Sequence, residues 1–182
     1  MKTSLISLAL TLGLASTSAF AADGQINFSG EITNGTCAVE VVDPGSNNPT
    51  NQIGLGEFRA GFFTAANVTT YPHPFQLRVT PGGGCIPGTN KKATVTFSTP
   101  YTASGTHYGV RPGLTNPATG IAVAIRDPRT GTFVAHGTPS ADFDLAPGSA
   151  SIMSFDAMLI STAAAVTAGS VEADVELVIT PN

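Results

Sequence analysis

The side chains able to do chemistry are few and scattered. They are two cysteines (Cys37, Cys85), three histidines (His73, His107, His136) and an acidic pair, Asp142 and Asp144. A nucleophilic triad or a metal shell needs such groups to converge, and no short motif here brings two of them together. His73 lies between two prolines, His107 sits beside Tyr108 in a Gly-rich stretch, and His136 ends a run of strand-forming residues. Asp142 and Asp144 precede Leu145 in a turn-prone segment; a solvated loop is the first reading and weak calcium binding the second. Gly82-Gly83-Gly84 lacks the lysine and the helix of a phosphate loop. The sequence therefore offers no catalytic residue, no metal ligand set and no cofactor site, and the expectation is a protein that is not an enzyme.

The cysteines acquire meaning from the start of the chain. Lys2, the apolar run Leu5–Leu14 and the small-x-small motif Ala19-Phe20-Ala21 have the form of a secretory signal peptide at residues 1–21. The apolar run is too short to span a bilayer. An exported chain meets an oxidising compartment, where Cys37 and Cys85 are expected to form a disulfide. The loop so closed is about 49 residues, worth ~4 kcal/mol in the chain-entropy account. A metal site is the weaker alternative, since two cysteines without close partners leave a tetrahedral shell half empty.

Lys2 is the only charge in the signal, so the secreted chain carries seven basic and 12 acidic residues, a net charge of −5. That balance argues against nucleic acid as a partner, which requires a basic face. Charged residues make up only 11 % of the sequence and apolar ones 42 %. This composition implies that some surface is buried against another molecule.

Twenty glycines and 13 prolines punctuate short, alternating runs of Val, Ile, Thr and Phe, the pattern of an antiparallel β-sandwich. Strands are expected at Gln25–Ile32, Cys37–Val42, Ile53–Phe58, Phe75–Val79, Ala93–Ser98, Ile121–Arg126, Thr132–His136, Ser151–Ile160 and Ser170–Thr180. Residues 127–131 form a hairpin turn with Gly131 available for positive φ, and residues 162–168 a connecting loop. In the first run Ile26, Phe28, Gly30 and Ile32 share one face, while Asn27, Ser29 and Glu31 share the other. Four turn-prone residues then separate it from Cys37. Its apolar stripe needs a groove, either in its own chain or in a neighbour's, with the small Gly30 where the floor is shallow. An ordinary edge strand of a complete sandwich is the alternative.

Taken in order, these pieces resemble a known family. Ile26-x-Phe28-x-Gly30-x-Ile32 followed by Cys37, then Ile53-Gly54-Leu55-Gly56-Glu57-Phe58, then Phe75-x-Leu77-x-Val79 followed by Cys85, are three of them. Gly120–Val123 with Asp127 and Gly131, and Phe155-x-Ala157 with Val166–Ala173, complete the series. Together they resemble the fimbrial (pilin) subunits of the chaperone–usher pathway, of the type 1 pilus kind. The resemblance implies an all-β, incomplete immunoglobulin-like β-sandwich lacking its final strand, which a donor strand from a neighbouring subunit completes. Residues 22–36 would be the donor-strand extension and 37–182 the pilin domain. Ile26, Phe28, Gly30 and Ile32 would be the donor residues, and the disulfide would join the first two strands of the domain. Val175, Leu177 and Ile179 would line the groove where a periplasmic chaperone pairs before an outer-membrane usher passes the subunit on. The implied product is a cell-surface fimbrium of a Gram-negative bacterium, built head to tail from identical or related subunits and serving cell adhesion. A single-domain carbohydrate-binding adhesin is the alternative. One departure stands out: Pro181 occupies the penultimate position where the family carries tyrosine, and proline donates no backbone hydrogen bond. The resemblance implies that chaperone pairing stops at Thr180 or that the chaperone is a divergent one.

Overall fold

The computed structural model describes residues 22–30, 37–82, 87, 89, 91–101 and 105–182. The signal peptide, Ile32 and Cys85 lie outside the described residues.

Among the described residues ten strands form two sheets: β1 (Ala22–Gly30), β2 (Ala38–Val42), β3 (Gln52–Phe58), β4 (His73–Thr80), β5 (Lys92–Ser98), β6 (Ile121–Asp127), β7 (Thr132–Phe133), β8 (Phe143–Asp144), β9 (Ser151–Ser161) and β10 (Val171–Pro181). One sheet has the order β3-β1-β10-β5-β8 and the other β2-β4-β9-β6-β7. Alternation in the sequence sets the faces. On β4, Phe75, Leu77 and Val79 are buried, and so are Ala93, Val95 and Phe97 on β5. On β10, Val171, Ala173, Val175 and Leu177 point inward while Glu176 and Val178 stay exposed. A period of two places one residue set on the core and the other in water.

Between the sheets the core centres on aromatic rings. Phe155 lies 5.8 Å from Phe75 and 4.9 Å from Phe97, centroid to centroid. The buried Tyr108 hydroxyl donates to the Val134 carbonyl at 2.9 Å, so its polar atom is satisfied. Burial pushes the Tyr108 phenol well above its ordinary range. A smaller apolar cluster, Ala122, Ala124, Met158 and Ile160, sits on the other face of β6 and β9.

The chain passes repeatedly between the two sheets. The β6–β7 pair is a local hairpin, closed by a turn in which Gly131 takes φ +71°. Most of the expected strands are present within a residue or two; β1 begins three residues before the expected Gln25, and its expected end, Ile32, lies outside the described residues. The short β8 has no counterpart among them, because two residues carry no periodicity. β7 is shorter than expected: Val134 and His136 leave the ladder, although Val134 N–H still bonds the Ile125 carbonyl at 2.8 Å. At the other end β10 runs one residue further than expected. Pro181 pairs with Ala93, and the Asn182 N–H donates to the Lys92 carbonyl at 2.8 Å. The ladder on the β5 side thus passes the proline.

Candidate functional site

The site is the slot between β3 and β10. β1 is not an edge strand: it pairs with β10 on one side and β3 on the other. Its pairing with β10 is parallel, from Gly24↔Val171 to Gly30↔Leu177, whereas every other strand pair among the described residues is antiparallel. The apolar stripe read from the sequence fills the slot. Ile26 is fully buried, between Ala173 and Ile53 in register, and Phe28 is nearly so, paired with Val175. The Phe28 ring reaches across to Phe75 on the opposite sheet, with centroids 4.9 Å apart. Burying these two side chains contributes about 1.5–3 kcal/mol each.

In the single chain the occupant of the slot is the chain's own N-terminal segment, where the resemblance implies a neighbour's in the polymer. The physical reason is direct: the apolar stripe and the vacancy are tethered together, and closing them removes both from water. Of the donor residues, Ile26 and Phe28 face the core and Gly30 closes the paired run against Leu177. Val175 and Leu177 face the core as expected, and Ile179 packs against it while partly exposed. Cys37 stands immediately before β2, partly buried against the core.

Two features of the slot have no counterpart in the sequence reading. The first is where space is tight. The sequence points to Gly30 as the shallow position, whose surroundings lie outside what the structure describes; at Gly24, on the same face of the strand, a Cβ would meet both Leu55 Cβ and Leu159 Cδ1 at 3.1 Å. The cause is a bulge. The β1–β3 register shifts between Gly24 and Gln25, so that Leu55 is an extra residue turned into the core, with Gly56 at φ +79° beside it. The Gly54-Leu55-Gly56 spacing is a signal for this.

The second is polar. On the outer face, Asn27 Nδ2 donates to Asp174 Oδ1 at 3.1 Å, joining residues 147 apart in sequence. The Tyr101 hydroxyl also donates to Asp174 Oδ2, and Arg111 donates to the same carboxylate from Nε at 2.9 Å and from Nη2. Arg111 further donates from Nη1 to Glu172 Oε2 at 2.6 Å, and its backbone N–H donates to the Glu172 carbonyl at 2.6 Å. The Arg111 guanidinium holds the Asp174 carboxyl at about 2, against an ordinary 3.8, with burial opposing and Tyr101 and Asn27 assisting. The alternation of β10 already places Asp174 outward. Nothing local announces that Tyr101 and Arg111 converge on it.

Among the described residues, the histidines and the acidic pair considered for chemistry lie apart. His73 lines an open cleft of about 420 Å³ with Asp43, Gln52 and Pro74. The His107 ring sits 5.6 Å from Phe133, and burial lowers its pKa. His136 Nδ1 accepts from the Thr99 N–H at 3.3 Å. Asp142 accepts from Asn182 at 3.0 Å, and Asp144 faces Lys92 at 3.8 Å. Among the described residues no group of three or more His, Cys, Asp or Glu is placed to hold a metal.

A two-sheet, immunoglobulin-like sandwich whose N-terminal strand lies in a slot beside the C-terminal strand defines the class: the pilin fold. The similarities agree. Residues 26–180 match the fimbrial protein family, so this chain belongs to that family of structural subunits and not to an enzyme family. It is 30 % identical over 172 residues to the probable major fimbrial subunit LpfA of Escherichia coli O157:H7, covering 94 % of this chain and 90 % of that one. It is also 30 % identical over 160 residues to a type 1 fimbrial subunit of Salmonella typhimurium, covering 83 % and 78 %. Among solved structures, a type I fimbria protein of Burkholderia pseudomallei aligns with TM-score 0.53 and 25 % identity over 88 % of this chain and 97 % of that one. The P pilus rod subunit PapA aligns with TM-score 0.59 at 17 % identity over 81 % and 99 %, a likeness of fold.

Proposed function

We propose that this chain is a structural subunit of an adhesive surface pilus, and that it polymerises when residues 22–32 of one copy enter the slot of the next. The observation that carries this reading is the separability of β1. Among the described residues it is the first strand and its pairing with β10 is the one parallel strand pair, and it supplies Ile26 and Phe28 to a slot walled by β3 and β10. The first strand can leave without unthreading the strands that follow it. Transfer to a neighbour is a head-to-tail contact that does not close on itself, so it generates a filament. Main-chain bonds along β10 and β3 supply the ladder for either occupant.

Self-occupancy gives a periplasmic chaperone its task. A strand tethered to its own slot is present at high effective concentration and outcompetes a strand in solution. A chaperone strand paired beside Val175, Leu177 and Ile179 would hold the slot against β1 until an outer-membrane usher brings the next subunit. Export by the residues 1–21 signal and a Cys37–Cys85 disulfide belong to the same reading. Deletion of Ala22–Ile32 tests it: the variant, co-expressed with its chaperone and usher, should yield subunits but no long fibres by electron microscopy. Long fibres from that variant would overturn the donor assignment.

A further inference from the structure

We infer that Asp174 is a specificity-determining residue of the slot, selecting for strands that present an uncharged hydrogen-bond donor at the outward position facing it. Both carboxylate oxygens are already aimed. Oδ1 accepts from Asn27 and Arg111, and Oδ2 accepts from Tyr101 and Arg111. The Asp174 side chain is only 22 % exposed, so its orientation is set by packing and by these partners rather than by water. Among the described residues, Asn27 is the partner that belongs to the occupant of the slot, while Arg111 and Tyr101 belong to the body of the domain.

The rest of the outer face has the same character. In register, Gln25 lies opposite Glu172 and Ser29 opposite Glu176. The outward residues of the seated strand are thus neutral wherever β10 presents a carboxylate. A carboxylate at position 27 would meet Asp174 as a like charge directly across the pair, which is destabilising. An apolar residue there would forfeit a bond to an ionised acceptor without adding repulsion. The inward sockets for Ile26 and Phe28 accept many apolar strands. The outward position adds a second criterion that burial alone does not supply, as specificity requires.

The test is a double-mutant cycle on the full secreted chain, read by urea unfolding and by amide exchange of residues 24–30. It concerns the strand the single chain already holds, so it does not depend on exchange between subunits, and failure of the fibre assay above would leave it standing. Asn27→Asp should raise the unfolding equilibrium constant about ten-fold or more and speed exchange in β1 before β6 or β9. Asn27→Leu should have a smaller effect in the same direction. Introducing Asp174→Asn into the Asn27→Asp chain should restore slow β1 exchange. An Asn27→Asp effect of the same size whether or not Asp174→Asn is also present would overturn the inference. So would an Asn27→Asp chain indistinguishable from the unsubstituted one. Should Asn27→Asp fail to fold, the Asn27→Leu cycle against Asp174→Asn decides: additive effects overturn the proposal and coupled effects sustain it.

Discussion

Asp174 and Gly24 hold the same strand by opposite means, one by offering bonds and the other by leaving room. The depressed Asp174 carboxyl has a consequence for pH. Its folded pKa, about 2, lies below the ordinary 3.8, so its contribution is present above about pH 4 and is lost as pH falls toward 2. The groups facing it are Arg111 and Tyr101 from the loops, Glu172 from its own strand and Asn27 from β1. The Asp43 carboxyl is also held below its ordinary range, by the Ser46 N–H and hydroxyl. Burial would raise the Asp127 carboxyl, but its bonds from Arg129 outweigh that and hold it below its ordinary range. Urea midpoints between pH 5 and pH 2 should therefore fall, and by less in Asp174→Asn than in the unsubstituted chain; parallel pH profiles would contradict this. Gly24 makes a steric prediction. Gly24→Leu cannot fit between Leu55 and Leu159 without displacing one of them, and should cost about 1–3 kcal/mol in urea unfolding.

At the scale of elements, β1 is the strand that the proposed exchange requires to leave the rest of the sandwich. Phe28 is its anchor, through the ring contact with Phe75, and Phe28→Ala should destabilise the chain by about 3–5 kcal/mol. Amide exchange should show that loss in β1 first, because β4 and β9 retain each other as partners. An unchanged unfolding midpoint would mean that β1 does not occupy the slot in solution. Most of this architecture is legible from alternation: Phe75-x-Leu77-x-Val79, Val95-x-Phe97 and Val171-x-Ala173-x-Val175-x-Leu177 each bury the face that the period of two assigns. The inward pair Ile26 and Phe28 is legible for the same reason. Three things are not. The Asp174–Arg111–Tyr101 convergence joins the β5–β6 connection to β10, 63 and 73 residues away, and leaves no periodic trace. The tight point at Gly24 depends on the Leu55 bulge, which only the register reveals. Whose slot the first strand fills is a question of tethering, which a residue pattern does not encode.

Across the whole molecule the strands that pair are mostly remote in sequence, with β1 against β10 the extreme case. Loop closure must then precede the burial that rewards it, so folding is slow and exposed apolar strands are at hazard before it completes. A covalent tie early in the chain is most useful in such a topology. Cys37→Ser should lower stability by about 2–5 kcal/mol and reduce the periplasmic yield of soluble subunit. An unchanged yield and midpoint would show that the cysteine carries no such tie. The same topology brings β1 and β10 to one slot in the single chain, and the proposed polymer would use the same set of contacts between copies. The decisive measurement is carboxylate cross-linking, followed by mass spectrometry, of fibres assembled from an equal mixture of light- and heavy-nitrogen subunits. Asp23 and Glu31 on one side, and Glu172 or Glu176 on the other, provide the reactive groups. Cross-links between residues 22–32 and β10 that pair a light peptide with a heavy one are the predicted result. Cross-links confined to peptides of the same isotope would show that each subunit keeps its own strand in the fibre and that something else joins the copies.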